Sequence, residues 1–192
     1  MAKNKLKKNT ENRKNYWQYL VPLLIIIITM VVYRPAMDNA ILHGWDDTEY
    51  LVNEDVQNMN LGGIFTDYHL GMYQPLPVAS ISMNYLSAGD SPRAYHATNI
   101  FLHIINIILI WVFLLGLTRK RFIAGIGAFL FALHPMNVEP VSWIAARSTL
   151  LFTAFYIAGL ISYLKYNREK KGLYLGLTAA FATLALFSKS LA

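Results

Sequence analysis

The chain has 192 residues, 55% of them hydrophobic and 15% charged, where a soluble domain would carry about 25% charged residues. It contains no cysteine, which excludes disulfides, thiolate metal sites and cysteine nucleophiles. The net charge of +6 is topological and not a nucleic-acid footprint, because the basic residues cluster beside long apolar runs as they do at the cytoplasmic ends of membrane helices.

A basic tail, residues 1–16, holds six of the 17 Lys and Arg, between Lys3 and Lys14. The first predicted span follows at about Trp17–Tyr33, with the uninterrupted centre LLIIIITMVV. At 1.5 Å per residue it is near the lower limit for crossing a ~30 Å hydrocarbon layer. A cleaved signal peptide is the alternative, opposed by the length of the run and the lack of a small-residue cleavage site after it.

Residues 34–93 form a large loop with eight of the 11 acidic residues and only two basic ones, Arg34 and Arg93. Within it, Leu61-Gly62-Gly63 reads as a turn after a piece around Thr48–Met59. Beyond Gln74-Pro75-Leu76-Pro77, the positions Val78, Ile81, Tyr85 and Leu86 recur at helical spacing. Proline suits the first turn of a helix, so an amphipathic helix is expected there, along the membrane surface.

Four further spans are predicted at about 94–117, 122–134, 138–166 and 173–192. Arg119, Lys120 and Arg121 separate the second from the third; Lys165, Arg168, Lys170 and Lys171 separate the fourth from the fifth. One topology places the tail and both clusters in the cytoplasm: spans one, three and five run outward, two and four inward. The expectation is an all-α, multi-pass bundle of about five transmembrane helices, with an outer loop that contains amphipathic surface helices. The fifth span ends LALFSKSLA with no closing basic loop, which reads as the N-terminal part of a larger protein.

Four features carry chemistry on this topology. Asp46 and Asp47, in GWDDTEY, offer a carboxylate to take a proton from an attacking hydroxyl, or a pair to hold a divalent cation; a solvated acidic turn is the plainer alternative. The turn His134-Pro135-Met136-Asn137-Val138-Glu139-Pro140 presents His134 and Glu139 either to a ligand or as helix caps. Arg147 is expected about two turns into the fourth span, where a guanidinium costs about 2.5–3.5 kcal/mol at mid-depth and faces protein, water or an anion. Its planar fork suits phosphate, and Lys189 lies at a similar depth; snorkelling to the headgroups is the plainer alternative for both, more so for Lys189. The stripe His96, Asn99, His103 and Asn106 falls on one face of the second span. Its two histidines stand ~10.5 Å apart along the axis, too far to share one ion without a bend, so interhelical hydrogen bonding is expected. No glycine-rich phosphate loop, HExxH or serine elbow is present.

The order of GWDDTEYLVNEDV, YQPLPVASISMNY, YHATNIFLHIINIIL, LFALHPMNVEPVSWIAARSTLL and LFSKSLA resembles the N-terminal membrane region of tetratricopeptide-repeat-containing C-type glycosyltransferases. That group includes the O-mannosyltransferases acting on cadherins and their bacterial relatives. The resemblance covers about Trp45 to Ala192. It implies the N-terminal part of a C-type transferase fold and transfer of a sugar from a polyprenyl-phosphate donor to a protein or glycan acceptor on the extracytoplasmic face. By the resemblance Asp46 is the catalytic carboxylate with Asp47 beside it, and Arg147 receives the donor phosphate, with His134, Glu139 and Lys189 matching further substrate-binding positions. No cofactor is expected, although oligosaccharyl-transferring members use a divalent metal. Membrane lipid, the donor and the acceptor are the expected partners, and nucleic acid is not. Lysine and isoleucine usage points to a bacterial inner membrane with a periplasmic active face; a eukaryotic source would place it in the endoplasmic reticulum. The competing reading is a non-catalytic membrane protein, a transporter part or a partner-binding subunit, against which stands the lack of an internal repeat.

Overall fold

The computed structural model describes residues 20–189, and within them every regular element is helical apart from one bridge between His69 and Met72. Helix α1, residues 20–33, runs into a 3-10 turn at Arg34–Asp38. Three short helices follow, α2 (Asp46–Val52), α3 (Glu54–Asn58) and α4 (Leu61–Thr66), then α5 (Pro75–Ala88). The remainder is α6 (Pro92–Thr118), α7 (Arg121–Ala132), α8 (Val138–Ser142), α9 (Arg147–Glu169) and α10 (Gly172–Ser188).

The protein is an all-α, multi-pass membrane chain. Leu20–Asp38, Pro92–Thr118 and Arg147–Glu169 are each long and apolar enough to span a bilayer. Arg121–Ala132 and Pro135–Ser142 qualify together as one span bent by 54°, and α10 is a shorter apolar helix of 17 residues. The basic tail and the last residues of the predicted fifth span lie outside the described residues.

Side-chain pairs fix the helix directions. Asn99 meets Arg147 near the start of α6, and Arg168 near the end of α9 donates to the Gly116 carbonyl, so α6 and α9 run parallel. Helix α7 is antiparallel to α6, because His103 bonds the Ala132 carbonyl while Trp111 packs in one cluster with Ala124 and Ala128. Ala124, Ala128 and Ala132 recur every four residues, and small residues in that register let two membrane helices approach closely. Helix α10 returns along α9, with Phe155 stacked on Phe181 and Lys189 at Thr149. The helix directions alternate along the chain, and the 119–121 and 165–171 clusters gather at one end of the bundle.

At the opposite end the acidic segment folds onto the bundle. Tyr50, Val56, Ile64, Val78 and Ile81 form one buried cluster with Tyr95 of α6 and Ile144 of the α8–α9 turn. The predicted helix after Gln74 forms with prolines in its first turn. Its Val78 and Ile81 are enclosed by protein and not by lipid, while Leu86 stays exposed. Leu61-Gly62-Gly63 is helical, not a turn; the reversal is made by Met59 in the left-handed region (φ 48°). Gly63 lies so close to α3 that a Cβ would run into the Asp55 carboxylate.

The predicted fourth span is two helices. The helix is interrupted at Trp143–Ala146, where Trp143 is extended. Partners distant in sequence take up the freed backbone groups: Asn99 Nδ2 donates to the Trp143 carbonyl (2.9 Å), and the Ala145 N–H donates to Asp47 (2.9 Å).

Candidate active site

The acidic pair stands at the start of α2, after an extended Trp45, with Glu49 in the same first turn. Negative charge there complements the helix dipole. The two aspartates are not equivalent. Asp47 is buried; its Oδ1 accepts the Ala145 N–H and its Oδ2 accepts the Leu42 N–H at 3.3 Å. Burial pushes its carboxyl above the ordinary range, while those two N–H donors, His96 and Trp143 pull the other way. Asp46 is half-buried, and its carboxylate has no hydrogen-bond or ion-pair partner among the described residues. Trp45 packs edge-on against Trp143 (ring centroids 6.0 Å), which seats this turn over the α8–α9 break.

Arg147 is the first residue of α9 and not two turns inside a span, because the predicted helix breaks just before it. Its side chain is fully enclosed. Nε donates to Asn99 Oδ1 (2.8 Å), Nη1 to the Ser80 carbonyl (3.0 Å) and hydroxyl (3.1 Å), and Nη2 to the Tyr95 carbonyl (3.1 Å). The Tyr95 ring lies 5.9 Å from the guanidinium carbon. Of the surroundings open to a costly membrane cation, this one has protein. In this structure the fork of Arg147 is committed to α5 and α6.

Lys189 is placed differently. At the end of α10 it is half-buried and donates from Nζ to Thr149 Oγ1 at 2.9 Å, in the first turn of α9. An ammonium has three donors, so the bond to Thr149 leaves capacity for an anion. His134 caps the short 3-10 turn Pro135–Asn137, with Nδ1 accepting the Met136 N–H (3.2 Å). Glu139 is exposed in the first turn of α8. Neither bonds to Asp46, Asp47, Arg147 or Lys189. The structure thus gathers the aspartates, Arg147 and Lys189 around the start of α9, and leaves His134 and Glu139 on a separate turn.

The polar stripe of α6 is interhelical, as its spacing predicts. Asn99 holds Arg147 and the α8–α9 turn, His103 bonds the Ala132 carbonyl (3.0 Å), and Asn106 donates to the Leu150 carbonyl (3.0 Å). His96 is buried with no hydrogen-bond partner on either ring nitrogen among the described residues. No three His, Asp or Glu side chains are arranged to hold a metal ion among those residues. Ser80, Tyr95 and Thr149 are partners that sequence reading missed. Nothing in the spacing of Ser80 or Tyr95 marks them, since both serve Arg147 largely through backbone carbonyls.

No family model and no solved structure matches the chain. Among curated proteins it is 33% identical to the protein O-mannosyl-transferase Tmtc1 of Drosophila melanogaster over 116 residues, 59% of this chain and 14% of that protein. It is 35% identical to the protein O-mannosyl-transferase TMTC3 of Mus musculus over 94 residues, 48% of the chain and 10% of the relative. Identity to the protein O-mannosyl-transferase TMTC4 of Homo sapiens is 29% over 180 residues, 80% of the chain and 24% of the relative. Its relatives are protein O-mannosyl-transferases. The glycosyltransferase resemblance seen in the sequence is borne out by all three. The match to each O-mannosyl-transferase covers between 10% and 24% of the relative's own length.

Proposed function

We propose that this chain is the membrane part of a glycosyltransferase that moves a sugar from a polyprenyl-phosphate donor to an acceptor hydroxyl on a protein, at the extracytoplasmic face. The names of the relatives make mannose the first sugar to test. The observation that carries the reading is the division of labour within the acidic pair. Asp47 is fixed by two backbone N–H groups, so its half-buried neighbour Asp46 is held as a carboxylate with no hydrogen-bond or ion-pair partner among the described residues.

In the proposed reaction the acceptor oxygen attacks C1 of the donor sugar as Asp46 takes the hydroxyl proton. The bond from C1 to the phosphate oxygen breaks, and the electron pair leaves with the lipid phosphate. Developing charge on that phosphate is met by Lys189, whose ammonium keeps donors beyond the one bonded to Thr149. Arg147 acts here as a positioning residue that ties α5, α6 and α9 beneath the site. The basic clusters at the other end of the bundle lie in the cytoplasm on this reading, which puts Asp46 outside.

The test is to supply polyprenyl-phosphate-mannose and an acceptor peptide rich in Ser and Thr to the purified full-length natural protein, and to follow release of the lipid phosphate. Acceptor-dependent release that is lost in Asp46→Asn supports the reading. Release unaffected by that substitution removes Asp46 from the chemistry.

A further inference from the structure

At the end of the bundle remote from Asp46, α1, α6 and α7 leave a groove of about 360 Å³ on the protein surface. Val21, Ile28, Trp111, Gly125 and Phe129 line it, with Arg121 at one end, and the lining is almost wholly apolar. It runs along α7 from Arg121 to Phe129, eight residues or ~12 Å, close to the ~15 Å depth of one leaflet's hydrocarbon. Its floor is fixed by close packing, since a Cβ on Gly125 would stand 3.3 Å from both Trp111 and Val21. Arg121 lines the groove, and Arg119 and Lys120 directly precede it in the turn where α6 gives way to α7, so the turn at that end of the bundle carries three cations.

We infer that this groove is a binding site for one anionic glycerophospholipid of the leaflet at the basic end, with an acyl chain in the groove and the headgroup phosphate at Arg119–Arg121. Apolar lining alone would accept any lipid; the cations select. A basic cluster at a membrane surface favours anionic headgroups by about fivefold per residue, and basic pockets between membrane helices on that side suit such lipids. The occupant is a resident lipid, not the sugar donor, because the groove and the aspartate pair lie at opposite ends of α6. The inference stands apart from the sugar-transfer reading and does not depend on it.

The experiment is native mass spectrometry and thermal melting of the full-length natural protein in detergent, titrated with phosphatidylglycerol or phosphatidylcholine. One phosphatidylglycerol should bind at least about fivefold more tightly than phosphatidylcholine. Arg119→Gln with Lys120→Gln should erase that preference. Ile126 lines the groove and is 45% exposed, so Ile126→Trp fills it without disturbing a buried contact and should abolish the stabilisation by either lipid. Leu177→Trp, on the outer face of α10, should leave both measurements unchanged. Equal binding of the two lipids, binding untouched by Ile126→Trp, or a groove sealed by another protein segment with no lipid adduct would each overturn the assignment.

Discussion

The Asp47 carboxylate accepts the backbone N–H of Ala145 at 2.9 Å across 98 residues of sequence. Through that bond the acidic turn after α1 is joined to the break that begins α9, two residues before Arg147. One side chain thereby sets both the place of the acidic pair and the point where the helix restarts.

The pair should therefore split under mutation. Asp46→Asn is expected to leave stability within about 0.5 kcal/mol and to abolish transfer. Asp47→Ala strands the N–H groups of Ala145 and Leu42 and should cost about 2–4 kcal/mol. Chemical unfolding in detergent, followed by tryptophan fluorescence, separates the two; equal effects on stability would contradict the assignment.

Arg147 and Lys189 should separate in the same way. Arg147→Ala leaves Asn99 and the Ser80 and Tyr95 carbonyls without their donor in a buried place, and should destabilise by about 3 kcal/mol or more. Lys189→Ala removes one half-buried contact to Thr149 and should raise the KM for the lipid donor several-fold while the melting temperature barely moves. Kinetics and melting curves on both variants check this. A donor KM that rises only in Arg147→Ala would restore a phosphate-binding role to Arg147.

Burial raises the Asp47 carboxyl above its ordinary value of 3.8. The native state then holds a proton that the unfolded chain has lost, so this group's stabilising contribution is greatest below 3.8 and falls as pH rises through the folded value. Carbon-13 titration of the Asp47 carboxyl should give a midpoint above 3.8, and Asp47→Asn should lack the associated pH dependence of melting. A midpoint at or below 3.8 would show that the Ala145 and Leu42 donors outweigh burial.

Much of this architecture was legible in the sequence because it depends on local patterns. Apolar runs and the clusters at 119–121 and 165–171 mark the helices and their alternation, and the spacing of Asn99, His103 and Asn106 marks a polar face that must find partners. The break at Trp143–Ala146 was not legible. Nothing within that segment forbids a helix through it; the stop is stabilised by Asn99 and Asp47 from elsewhere in the chain. Placing Arg147 two turns inside a span, where the structure has it as the first residue of α9, follows from that one long-range effect. Gly62-Gly63 misled for a related reason: Gly63 is small to admit Asp55, not to make a turn.

The central claim, that Asp46 and the basic clusters face opposite sides of the membrane with Asp46 outside, is tested most directly by single-cysteine labelling. These 192 residues hold no cysteine, so each substitution places the one thiol of this part of the protein. In intact cells producing the full-length protein, Asp46→Cys should react with an impermeant maleimide, and Lys120→Cys only after permeabilisation. Labelling of Lys120→Cys from outside, with Asp46→Cys protected until the membrane is opened, would contradict the account.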